Sequence, residues 1–192
     1  MSDLFGYIVL GTLLIVIVAI LYIPIYFRLR KKVVLNRQIC FVGLAGILFV
    51  IVFATLLLDI FNGIQTGNLF HPTIKMLNLI PLNWLHETWE MGSDKMITQI
   101  AANILMFVPF GFLLPIVFCK LRRSINTLAC ILFTSFSIEL FQYFIGRSAD
   151  IDDLIQNFIG GATGYLFFLI LSHTFGKTQF WQKILGNPTL LT

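Results

Sequence analysis

An all-α bundle of membrane-spanning helices is the fold class this sequence predicts, and three observations predict it. Of the 192 residues, 58% are hydrophobic and only 11% are charged, and the mean hydropathy is +0.90. Several apolar runs are long enough to cross a hydrocarbon core of roughly 30 Å, which takes about 20 helical residues. The charged residues fall largely between these runs, with most cations and most acids on alternate connections. Helices are required, because in lipid every backbone amide must be satisfied within its own segment.

Five transmembrane helices with an outer interfacial loop follow: Leu4 to Phe27, Ile39 to Ile60, Met96 to Cys119, Ile125 to Ile145 and Leu154 to Ser172. The first is not read as a signal peptide, since no basic segment precedes it, its apolar stretch is too long, and its cations follow it. It is expected to stay in the mature protein. Ten of the thirteen cations lie in the loop from Arg28 to Arg37, the loop from Lys120 to Arg123, and the stretch holding Lys177 and Lys183. The positive-inside rule makes those three stretches cytoplasmic, with the N-terminus outside and the C-terminus inside. The net charge of +4 is therefore a topology signal, and no nucleic-acid partner is expected. Residues 1–38 form an extra N-terminal span and basic loop, 39–172 a single membrane domain, and 173–192 a cytoplasmic tail.

Cys40, Cys119 and Cys130 lack metal-ligand spacing and read as reduced, packed thiols. His71, His86 and His173 are scattered. The long outer connection from Phe61 to Lys95 mixes turn signals with Leu79, Ile80, Leu82, Trp84 and Trp89. It reads either as a plain surface anchor or as an interfacial element around Pro81 that covers a site below it.

Polar residues inside the spans carry the functional expectation. A carboxylate inside hydrocarbon is costly and marks a site by default, and Glu139 is one. At 1.5 Å per residue, Asn103 lies roughly 10 Å below the outer end of its span and Glu139 roughly 9 Å. Ser135, Glu139 and Gln142 share one helix face, while Asp150, Asp153, Asn157, Gly160 or Gly161, and Gly164 share another. Residues 146 to 153 join the two helices tightly, which sets Arg147 and Asp150 above Glu139. The expected ligand-binding set is Asn103, Glu139, Gln142, Arg147, Asp150, Asp153 and Asn157, in a cleft open to the outer leaflet. Arg147 suits a phosphate or carboxylate, and a helix start offers free N–H groups to an anion.

Plainer roles stand beside these. Asp150 and Asp153 equally suit an N-cap and first helical turn. Gly160, Gly161 and Gly164 favour close helix packing. Pro109 and Pro115 read as kinks, Asn103 as an interhelical bond, and Glu139 with Arg147 as a buried ion pair. Asp150, Asp152 and Asp153 are the hard oxygen ligands a divalent metal would use, although no calcium-loop spacing is present. No cofactor is expected. If the protein is an enzyme, Glu139 and Asp150 are the catalytic candidates, with Glu139 the general acid or base.

Several of these residues recur in a known order. Asn78-Leu-Ile-Pro81, Asn103-Ile-Leu-Met-Phe-Val-Pro-Phe-Gly111 with Leu114-Pro115, Glu139-Leu-Phe-Gln142, Arg147, Asp150-Ile-Asp152-Asp153, Asn157 and Gly160-Gly161 resemble the signature of VanZ-like bacterial membrane proteins. The resemblance covers roughly residues 39 to 172, and Leu82 departs from it where an aromatic residue is expected. It implies a four-helix core in a bacterial cell membrane and an association with teicoplanin resistance. The expected partners are membrane lipids and an amphiphilic small-molecule or lipid-linked ligand, either a lipoglycopeptide antibiotic or a cell-envelope precursor. The alternative is a membrane enzyme acting on a lipid or lipid-phosphate head group with an Asp-bound divalent cation.

Overall fold

The computed structural model describes residues 20, 22–28, 35–66, 77–82 and 93–186. Most of the expected first span, and much of the connection from Phe61 to Lys95, lie outside these residues. Among the described residues four helices are long and apolar enough to cross a membrane: Leu35–Leu57, Gln99–Val117, Ser124–Phe144 and Ile151–Phe175. They correspond to the second to fifth expected spans.

Helix α1 (Leu35–Val52) passes through a π turn (Phe53–Leu57) into α2 (Leu58–Thr66). In that turn the Thr55 hydroxyl donates to the Ile51 carbonyl at 2.7 Å. A short strand β1 (Leu77–Asn78) precedes α3 (Ser93–Val117), and a 3₁₀ turn (Cys119–Arg122) leads into α4 (Ser124–Phe144). Strand β2 (Ala149–Asp150) then opens α5 (Ile151–Phe175), and α6 (Gln179–Leu185) folds back beneath the bundle.

The closest helix pair is α3 against α5, and glycine is the reason. A Cβ on Gly111 would overlap the Gly161 carbonyl, one on Gly160 the Ile104 carbonyl, and one on Gly164 the Val108 carbonyl. Backbone therefore rests on backbone, the arrangement small residues permit where lipid gives no hydrophobic drive between helices. The packing role expected of these glycines is borne out. Beside this seam, Ile51, Phe107, Phe110 and Ile131 form the buried centre that joins α1, α3 and α4.

At the end holding the Lys120 to Arg123 loop, side chains close the hairpin between α3 and α4. Arg122 donates to the Pro115 carbonyl at 3.3 Å and to the Leu185 carbonyl, and the Tyr165 hydroxyl donates to the Arg122 carbonyl at 3.0 Å. Helix α6 is capped by Thr178, whose hydroxyl accepts from the Trp181 amide at 3.3 Å, and ends on Gly186 at φ 67°. Trp181 is buried against Phe168, with ring centroids 6.2 Å apart. Part of the expected tail is thus a packed helix.

Candidate functional site

The opposite end of the bundle carries the acids, and a tight reversal between α4 and α5 brings them together. Helix α4 ends in a Schellman arrangement: Gly146 adopts φ 90°, its amide donates to the Tyr143 carbonyl at 3.2 Å, and the Arg147 amide donates to the Gln142 carbonyl at 2.9 Å. Glycine suits this left-handed position because it has no Cβ to clash. The chain then extends through Ala149 and Asp150 before α5 begins.

Asp150 is the hub. Its side chain caps α5 by accepting from the Asp152 amide at 2.8 Å, as the capping alternative anticipated, and its other oxygen accepts from the Asn78 side-chain amide at 3.0 Å. Its own backbone N–H donates to Glu139 at 2.9 Å. A buried carboxylate needs such donors, because burial without them costs several kcal/mol. Glu139, only 7% exposed, is therefore held by the residue that starts the next helix.

Asp152 and Asp153 face different partners. Asp152 is buried and accepts from the Leu82 amide at 2.7 Å, while Asp153 accepts from the Asn103 side chain at 2.8 Å. The same Asn103 amide donates to Gln156 at 3.0 Å, which ties α3 to α5 at this level. Arg147 interacts electrostatically with both Glu139 and Asp153. Among the described residues no group of three or more His, Cys, Asp or Glu side chains converges as a candidate metal site.

Residues 77–82 lie over this reversal. Leu77 pairs with Ala149 and Asn78 with Asp150 in a two-stranded parallel sheet, and the bonds from Asn78 and Leu82 fasten the segment to Asp150 and Asp152. Leu82 reaches Asp152 with φ 63°, a left-handed conformation that costs a bulky residue roughly 1–2 kcal/mol. The described part of the Pro81 region is thus fastened to the reversal between α4 and α5.

Five of the seven residues expected at the site thus share one network: Asn103, Glu139, Arg147, Asp150 and Asp153. The other two lie elsewhere. Gln142 is buried and donates to the Thr55 carbonyl in the π turn at 3.1 Å, while Asn157 is buried and donates to Ser135 at 3.1 Å. Both join helices. Asn78, Gln156 and the Leu82 amide were not singled out as site groups, and only the Asn-Leu-Ile-Pro run pointed toward the first.

A groove of about 390 Å³ opens beside the network. Leu77, Leu79, Phe136, Leu140, Tyr143 and Leu154 supply most of its walls, and Glu139 and Asp150 are the charged residues in its lining. Leu79, Phe136 and Leu140 are more than 40% exposed, so the groove faces outward from the bundle, where lipid would lie. Its accessible walls are almost entirely apolar, a surface that suits a hydrocarbon chain.

Residues 41–172 match a family model described as VanZ/LLP1. No curated protein and no solved structure matches the chain. With about two thirds of its length covered, from α1 to the end of α5, this apolar four-helix chain with its acid-rich reversal belongs to the VanZ/LLP1 family.

Proposed function

We propose that this protein engages an amphiphilic ligand, a lipoglycopeptide antibiotic or a lipid-linked cell-envelope precursor, at the outer leaflet of a bacterial membrane, and that it lowers susceptibility to teicoplanin. The observation that carries the reading is the outward-facing apolar groove whose lining includes Glu139 and Asp150. An amphiphile has the same division, with one end that prefers hydrocarbon and one that needs hydrogen bonds. The positive-inside rule places the opposite end of the bundle, with Lys120, Arg122 and Arg123, in the cytoplasm, and this end outside. A ligand anchored in the outer leaflet then reaches the groove by lateral diffusion. The Asp150 and Asp152 amides and the Asn78 side chain hold the two lining carboxylates in place.

The separate partners of Asp150, Asp152 and Asp153 lend no support to a metal-dependent head-group enzyme. The test is susceptibility of a Gram-positive host to teicoplanin and vancomycin, comparing wild type with Glu139→Gln and Asp150→Asn at matched membrane levels. Both variants are expected to lose teicoplanin protection with little change for vancomycin. Full protection in both variants contradicts a role for the groove, and a wild-type chain that gives no protection removes the antibiotic from the reading.

A further inference from the structure

The end of the bundle away from the groove gathers positive charge with no acid to balance it. The stretches 28–37, 120–123 and 173–186 hold ten cations and no Asp or Glu. The fold brings members of all three together at the C-terminus of α6. Arg122 donates to the Leu185 carbonyl, and the Arg37 guanidinium lies against Gly186, where a Cβ would overlap it. Lys183 is exposed about one turn earlier on α6. A helix C-terminus offers at most roughly half an elementary negative charge, too little to offset two guanidinium groups and an ammonium. The remaining counter-charge has to come from the surroundings. Apolar surface lies beside these cations. Phe41, one turn after Arg37 on the same face of α1, meets Phe118 edge to face with ring centroids 6.0 Å apart, and both rings are more than 40% exposed. Phe118 leads directly into the 3₁₀ turn, where Lys120 is exposed. Cations next to exposed aromatic rings at the end of spanning helices suit a molecule with an anionic head and a hydrocarbon chain. A soluble anion would use the cations and leave the rings uncovered.

We propose that this end of the bundle holds an anionic phospholipid, its phosphate at Arg37 and Lys120 and its acyl chain along Phe41 and Phe118. Helix α6, fixed by Trp181 against Phe168 and by the bond from Arg122, keeps the Arg37 guanidinium in position. The charges that set the topology thereby also recruit a lipid.

Full-length protein in neutral maltoside micelles would be titrated with lysophosphatidylglycerol and with lysophosphatidylcholine of the same chain, and bound lipid counted by native mass spectrometry. The glycerol lipid is expected to bind about 25-fold more tightly, at about fivefold for each of two cations. Arg37→Gln and Lys120→Gln should each lower that preference about fivefold. Lys177→Gln, which removes the same charge ahead of α6, should leave it unchanged. Phe118→Ala should weaken both lipids, and glycerol 3-phosphate should not displace the bound lysolipid. Equal binding of the two lipids overturns the anionic assignment. An equal loss of preference in Lys177→Gln, Arg37→Gln and Lys120→Gln overturns the site, because it reports only diffuse attraction. Displacement by glycerol 3-phosphate at the lysolipid's own concentration overturns the role of the chain and its aromatic rings. If Arg37→Gln fails to accumulate, Lys120→Gln against Lys177→Gln decides.

Discussion

Asp152 shows how a single side chain fastens residues 77–82 to the reversal between α4 and α5. It is buried, and its carboxylate accepts the amide of Leu82, a residue in a left-handed conformation that nothing local favours. Asp152→Ala leaves that amide without its acceptor, at a cost of about 1–3 kcal/mol. The expected result is a lowered Tm in detergent and faster proteolysis between Leu77 and Leu82, whereas Asp152→Asn, which keeps an acceptor oxygen, should stay close to wild type. Equal behaviour of the two variants would contradict the anchoring role. Glu139 was legible in the sequence because a carboxylate within an apolar run is expensive whatever surrounds it. Its partners were harder to read. The bonds from Asn78 to Asp150 and from Leu82 to Asp152 span 72 and 70 positions, and no periodicity encodes contacts between a loop and a distant helix cap.

At the scale of elements, the seam between α3 and α5 sets the site's geometry, since Asn103 and Asp153 meet across it. Gly164→Ala would drive a methyl group into the Val108 carbonyl, and overpacking of this kind costs about 1–3 kcal/mol or more. Poor membrane accumulation and a lower Tm are expected. Gly46→Ala is the control, for a Cβ there meets nothing within 4 Å, and it should leave both readouts unchanged. A Gly164→Ala variant as stable as Gly46→Ala would show that the helices are not in backbone contact. The four described spans and these glycines were readable from hydropathy and small-residue spacing. The π turn was not, because it concerns backbone geometry: the Thr55 hydroxyl bonds to the Ile51 carbonyl, and Gln142 of another helix takes the carbonyl of Thr55. Gln142 and Asn157, expected at the ligand pocket, bond across to other helices, and sequence alone does not separate polar residues that face a groove from those that join helices, since both occupy inward positions of an apolar helix.

Among the described residues the molecule is polarised, with Glu139, Asp150, Asp152, Asp153 and the groove at one end and Lys120, Arg122, Arg123 and the packed helix α6 at the other. The orientation proposed for it predicts that Ser148→Cys, in the reversal after α4, reacts with a membrane-impermeant maleimide in intact cells. Cys119, exposed at the opposite end, should react only after the membrane is opened. The reverse pattern would place the groove in the cytoplasmic leaflet. The central claim, that Glu139 and the apolar walls beside it receive an amphiphile, is tested most directly by a structure determined in a bilayer disc of bacterial lipids. The account predicts a chain-shaped density between Leu79 and Leu140 whose polar end lies within hydrogen-bonding distance of Glu139. A groove closed by the protein's own side chains, with Glu139 turned into a contact between helices, would contradict it.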